Sequence, residues 1–327
     1  MDPMSANNGA SDCGNVTSRL ASMSLDESSD ESPDIVHGGL IPDEELAEAV
    51  KAGGRLGLYS HTCRLPDKRI VVKTGTYRLL EEAQTMRYVQ GMTHVPVPEV
   101  YEVHCEGADF QILMEYVEGD LLEHAWYAMT NEEKASVLTQ LRDYLRELRS
   151  FRASFVGTAE GGPVRDEFFE GSPNAVYSDE NEFNTNLLGA LAKDNIEDSE
   201  DSTQYMTFDH MFKTTMQGNR LVMTYNNLHP RNIIVRGSQV VAFTDWSQAG
   251  FLPDYWEYCR PYTRSWETCN ADASFFTKER VLDQILTPRE RELAVFQFRA
   301  ANVKSRVYTN SDEPQRHLDI KTGIYVW

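Results

Sequence analysis

Two asparagines in TYNNLHPRNIIV (224–235) stand at a spacing with chemical meaning: Asn227 and Asn232 lie five positions apart. A loop built this way can aim one side chain at an incoming hydroxyl and hold the other against a cation, the division of roles that phosphoryl transfer uses. The second asparagine runs into IIV (233–235), a short apolar strand. RGSQ (236–239) reads as a turn and VVAFTD (240–245) as the returning strand. A hairpin brings the residue before its first strand close to the residue ending its second, so Asn232 is expected beside Asp245. An amide oxygen and a carboxylate are hard donors of the kind magnesium takes. The same residue types also serve as ordinary turn caps. The first asparagine stands where this chemistry uses a carboxylate. An amide orients a hydroxyl but does not accept its proton, and the lost general-base help is expected to cost on the order of a hundredfold or more.

A second charged pair lies upstream. RIVVK (69–73) is a compact β-branched run after the turn residues Pro66 and Asp67, and reads as a strand ending at Lys73. TYRLLEEAQTMRYVQG (76–91) has helical spacing: Leu79, Ala83 and Met86 share a face, and Gly91 is the expected stop. Glu82 borders that apolar stripe, whereas Glu81 points well off it. A carboxylate at the edge of a core needs a cation, and Lys73 is the expected partner.

The elements around these residues divide in character. IPDEELAEAV (41–50) predicts a short helix, 53–75 two strands about a turn, and VPVPEVYEV (95–103) and DFQILMEYVEG (109–119) two further strands. Together they make a small α+β lobe. From Thr130 the pattern changes. Thr130 and Glu133 form a T-x-x-E capping box, and Val137, Leu141, Leu145 and Leu148 mark a long amphipathic helix. The rest reads as helical or irregular, interrupted by the one hairpin, with DNIEDSEDST (194–203) as an exposed acidic loop. Residues 1–38, rich in Ser, Asn, Asp and Glu, bury too little apolar surface to offset their ordering entropy; an acidic disordered tail is expected.

Composition excludes several classes. Hydrophobic residues are 41% of 327, so a packed core is expected. The net charge of −20 argues against a nucleic-acid partner, because a phosphate backbone demands a basic face. Cys13, Cys63, Cys105, Cys259 and Cys269 form no CxxC pair, which suggests neither a disulfide framework nor a zinc site. No apolar run resembles a signal peptide or a membrane span, and a cytoplasmic protein without membrane contact is expected. His229 reads as a structural loop histidine. Asp254, Trp256 and Glu257 read as packing, with substrate contact as the alternative.

The combined motifs carry a resemblance. EAQTMRYV (82–89), THVPVP (93–98), ILMEY (112–116), NNLHPRNIIV (226–235) and DWSQAGFLPDYWEY (245–258), with RDEFFEG (165–171), make residues 50 to 262 resemble the aminoglycoside phosphotransferase and choline-kinase group, especially its fungal members. The resemblance implies a bilobal protein-kinase-like α+β fold. Its small N-lobe (39–116) would hold an antiparallel sheet and one helix, and its larger C-lobe (117–327) would be mainly helical. It also implies Mg²⁺ and ATP as cofactors and a small-molecule substrate. Lys73 would hold the α- and β-phosphates with Glu82 as its partner, Glu115 and Tyr116 would offer hinge backbone to the adenine edge, and Asn232 and Asp245 would hold the metal. The family's histidine is here Tyr225, its catalytic aspartate Asn227, and the glutamate after D-W Ser247. The Gly-rich loop is reduced to GRLGLYS (54–60).

Four readings follow from these departures. One is a small-molecule kinase whose aspartate was exchanged in the laboratory; that leaves Tyr225 and Ser247 unexplained. The second is a repurposed enzyme of secondary metabolism, doing nucleotidyl transfer or a nucleotide-independent reaction. The third is a pseudokinase that binds without turnover, and the fourth a kinase in which Asn227 only orients the acceptor. Three departures in one site favour natural divergence over a single exchange.

Overall fold

The computed structural model describes residues 35–54, 56, 61–66, 68–164, 166, 175–196, 202–267, 280–297, 317–319 and 324–326. Most of the expected tail, most of GRLGLYS, all of RDEFFEG but Asp166, and the middle of 194–203 lie outside the described residues. The fold is two-lobed and α+β.

The N-lobe contains β1 (Ile35–His37), α1 (Asp43–Ala49), β2 (Thr62–Arg64), β3 (Ile70–Gly75), α2 (Arg78–Met92), β4 (Val100–Glu106) and β5 (Asp109–Glu115). Its five strands form one sheet in the order β1-β4-β5-β3-β2. The β-branched pair Ile35 and Val36 joins the sheet, so the expected tail of 1–38 ends in a strand. Side chains alternate across a strand. Val72 therefore packs with Leu46, Ala49 and Cys63 on one face, while Val71 packs with Leu79, Ala83, Met86 and Ile112 on the other. Lys73, two residues after Val71, shares the face that α2 covers. The expected stop at Gly91 is not the end of α2. The helix runs on to Met92, and Thr93 closes it by donating its hydroxyl to Val89 O at 2.8 Å. VPVPE (95–99), expected as strand, lies outside the strand proper, and β4 begins at Val100, after the prolines.

The C-lobe follows with β6 (Asp120–Leu121), α3 (Leu122–Ala125), α4 (Asn131–Leu148), α5 (Glu180–Ile196), α6 (Ser202–Thr215), β7 (Leu221–Thr224), β8 (Ile233–Arg236), β9 (Gln239–Phe243), β10 (Gly250–Pro253), α7 (Trp256–Glu267) and α8 (Val281–Ile285). Residues 194–196 and 202–203 of the expected acidic loop are helical. The capping box at Thr130 has both halves: Glu133 N–H donates to Thr130 Oγ1 at 3.2 Å, and Thr130 N–H to Glu133 Oε2 at 2.8 Å. Val137, Leu141, Leu145 and Leu148 are all buried. β8 and β9 form the expected hairpin, with Ile233 opposite Phe243, and β6 pairs on its other side. One pairing was not expected: β7 lies antiparallel to β10, with Thr224 opposite Gly250. The segment 225–232 thus leaves one small sheet and enters another, held at both ends. β11 (His317–Asp319) and β12 (Ile324–Val326) form a further antiparallel pair. Among the described residues no helix is long and apolar enough to cross a membrane.

The lobes are tied at several points. Phe243 N–H donates to Pro96 O at 2.8 Å, His94 Nδ1 lies 2.8 Å from Glu147 Oε1, and the Tyr88 and Phe151 rings meet edge to face.

Candidate active site

Strand alternation delivers Lys73 to the helix α2, and helical periodicity delivers Glu82 to Lys73. Lys73 Nζ donates to Glu82 Oε1 at 2.9 Å and Oε2 at 2.8 Å, with the glutamate side chain only 1% exposed. Its third donor reaches across to the C-lobe, to Asp245 Oδ1 at 2.9 Å. Glu82 Oε1 also accepts from the Trp246 backbone N–H at 3.2 Å. One ammonium and one carboxylate thereby join the N-lobe helix to the segment after β9. Burial works against the Lys73 charge, but the carboxylates of Glu82 and Asp245 outweigh it and raise the lysine above its ordinary range.

Asp245 follows β9 in a left-handed conformation, φ 57°. This turns its side chain out of the hairpin direction and toward Lys73 and Asn227. Asn227 Nδ2 donates to the Asp245 carbonyl at 2.9 Å and to its Oδ2 at 2.8 Å. Ser247 Oγ donates to Oδ1 at 2.8 Å. Burial pushes the Asp245 carboxyl up, but the Lys73 charge and hydrogen bonds from Lys73, Ser247 and Asn227 override it, bringing the group down to about 2. Asn232 Nδ2 donates to Asn227 O at 3.0 Å, and Thr244 N–H to Asn232 O at 2.8 Å. Lys73, Glu82, Asn227, Asn232 and Asp245, read from separate stretches of sequence, are thus joined in one hydrogen-bonded group.

Other residues shape the loop without having been singled out for that role. Glu257, 1% exposed, accepts from the backbone N–H groups of Tyr225 at 2.7 Å and Asn226 at 3.1 Å. Asn226 is left-handed, φ 58°, and its side chain is fixed by Gln248 O and by Trp256 Nε1–H at 2.9 Å. The same indole N–H reaches Asp166 Oδ2 at 3.2 Å, and Asp166 pairs with buried Arg260. Tyr225 is fully buried, donates its hydroxyl to Thr244 O, and meets Phe243 and Trp246 edge to face. His229 accepts from Arg231 N–H at 3.1 Å and caps the short turn Pro230–Asn232, as its reading as a loop histidine requires. The signal for Glu257 lay in the sequence as a carboxylate among aromatic residues, a setting that demands a buried partner.

Glu115 N–H donates to Glu99 O at 2.8 Å and Tyr116 N–H to Arg69 O at 3.0 Å. Both N–H groups are engaged within the protein. The Tyr116 ring lies under the Arg64 guanidinium, 3.9 Å from its centroid.

The donors expected for magnesium are the Asn232 amide and the Asp245 carboxylate. Among the described residues no three His, Cys, Asp or Glu side chains gather as a metal-binding cluster, and magnesium held through one carboxylate and substrate phosphates needs none. Both Asp245 oxygens already accept hydrogen bonds, Oδ1 from Lys73 and Ser247 and Oδ2 from Asn227.

Comparison with known proteins agrees with this frame. The family model described as "Phosphotransferase enzyme family" matches residues 66–285. The chain belongs to the phosphotransferase enzyme family. Among solved members, a thermostable mutant of aminoglycoside phosphotransferase APH(4)-Ia, in ternary complex with AMP-PNP and hygromycin B, superposes with a TM-score of 0.50 at 13% identity, covering 77% of this chain and 83% of that one. APH(3'')-Id from Streptomyces rimosus gives a TM-score of 0.47 at 14% identity over 81% and 99% of the two chains. At such identities the likeness is one of fold. A subtelomeric hrmA-associated cluster protein of Aspergillus fumigatus is 33% identical over 87 residues, which is 25% of this chain and 17% of that protein's length.

Proposed function

We propose that this kinase-like family member binds a nucleoside triphosphate between an N-lobe of 39–116 and a C-lobe of 117–327, and does not phosphorylate a hydroxyl by general-base catalysis. Lys73, paired with Glu82, is the phosphate contact in this reading. The observation that carries it is the direction of Asn227: its amide N–H groups point at Asp245, the opposite polarity from a carboxylate awaiting a substrate proton. A second, small-molecule ligand enters by likeness to the hygromycin-bound relative. The reading is tested by melting the protein with and without ATP, since a ligand that binds only the folded state raises the midpoint. A rise is expected, and no rise at saturating ATP would refute nucleotide binding. Incubation with γ-labelled and, separately, α-labelled ATP and candidate hydroxyl acceptors is expected to move no label. Transfer of γ-label would return the chain to the active kinases, and transfer of α-label would make it a nucleotidyl transferase.

A further inference from the structure

We infer that Arg64 reads the base of the bound nucleotide, donating from its guanidinium edge to two neighbouring acceptors, so that this chain takes a guanine nucleotide in preference to an adenine one. The inference deepens the nucleotide-binding reading above and rests on it.

Strand register places Arg64 on the same face as Lys73. β2 pairs antiparallel with β3, with Thr62 opposite Lys73, Cys63 opposite Val72 and Arg64 opposite Val71. Side chains alternate across a strand. Cys63 and Val72 pack together on the face that α1 covers, so Arg64, Val71 and Lys73 lie on the other. Arg64 is two positions, roughly 7 Å, along the sheet from the level of Lys73. A ligand with its phosphates on Lys73 has one direction in which to lay a ring along this face. Toward Gly75 the strand ends within two residues. Toward Arg64 the face is apolar: Val71 lies opposite Met114, and Leu56 and Tyr116 pack against the same cluster.

The Arg64 guanidinium is held in place with its donors open. It lies over the Tyr116 ring, 3.9 Å from the centroid, and such stacking fixes its plane. Among the described residues it makes no hydrogen bond or ion pair, although Arg64 is only partly exposed. A guanidinium carries five N–H donors and no acceptor. Part-buried donors without a partner call for one that the chain does not supply.

The donor-only fork chooses between the bases. Guanine presents two adjacent acceptors, N7 and O6, whereas adenine presents N7 beside the donor N6–H₂. Two parallel guanidinium N–H groups fit the first edge, and in the second one donor faces another.

The experiment is calorimetric titration of the full chain with GTP, ATP and 7-deaza-GTP, all in excess magnesium. GTP should bind more tightly than ATP by about fivefold or more, the discrimination of one bidentate pair. The analogue, which lacks the N7 acceptor, should lose most of that advantage. Arg64→Lys keeps the charge and removes the fork, and should bind GTP and ATP alike. Circular dichroism shows whether this variant is folded, and the analogue tests the native chain in either case. A preference for GTP below about fivefold would overturn the inference. So would a preference that survives the loss of N7 or of the guanidinium. Binding of neither GTP nor ATP would instead remove the nucleotide-binding reading, and this inference with it.

Discussion

Restoring aspartate at 227 would place a second carboxylate against Asp245 Oδ2, where the Asn227 amide now donates at 2.8 Å. The change removes a hydrogen bond to a charged group and adds a like charge. Asn227→Asp is therefore expected to lower stability by roughly 1–3 kcal/mol in the absence of divalent cations, read from urea unfolding. Glu257 is the residue on which the loop backbone depends. Glu257→Ala leaves the buried N–H groups of Tyr225 and Asn226 without their acceptor, and each such group costs about 1–3 kcal/mol. A loss of about 3 kcal/mol is expected, with Glu257→Gln, which keeps one acceptor oxygen, falling between. Sequence showed Asn227, Asn232 and Asp245 as a pattern because they sit on one hairpin. It gave no spacing rule for Glu257, which reaches the loop from a helix 31 and 32 positions away.

At the level of elements, local rules carried most of the reading. The capping box at Thr130 needs only residues three apart, and both of its hydrogen bonds are present. Thr130→Ala is expected to destabilise by about 1 kcal/mol, measured as a shift of the urea midpoint at unchanged slope. Lys73 and Glu82 were legible for the same reason: each is placed by the period of its own element. The sheet of β7 and β10 was not. LVMT (221–224) and GFLP (250–253) are buried at every position, so neither shows the alternation of a half-buried strand. Gly91 misled because a helix end depends on its cap, and the Thr93 hydroxyl supplies one beyond the glycine.

Across the whole molecule, one network links remote segments to the loop. Arg260 holds Asp166, Asp166 accepts from Trp256, and Trp256 holds Asn226. The Arg260–Asp166 pair is buried, with side chains 1% and 0% exposed. Breaking one partner of a buried pair strands the other charge. Asp166→Ala is expected to cost about 3–5 kcal/mol and to lower the melting midpoint well beyond the effect of Thr130→Ala.

What the sequence determined by itself was the local frame: the strand that carries Lys73, the helix that carries Glu82, and the hairpin between Asn232 and Asp245. These follow from periodicity and turn chemistry, which act over a few residues. It also determined that position 227 has no proton acceptor, because that is a matter of residue type. What only the tertiary structure decided was where the Asn227 amide points. Its contact with Asp245 depends on two left-handed residues, a buried glutamate and a lysine from the other lobe. Hydrogen-bond direction is fixed by such distant groups together, and no local pattern carries it.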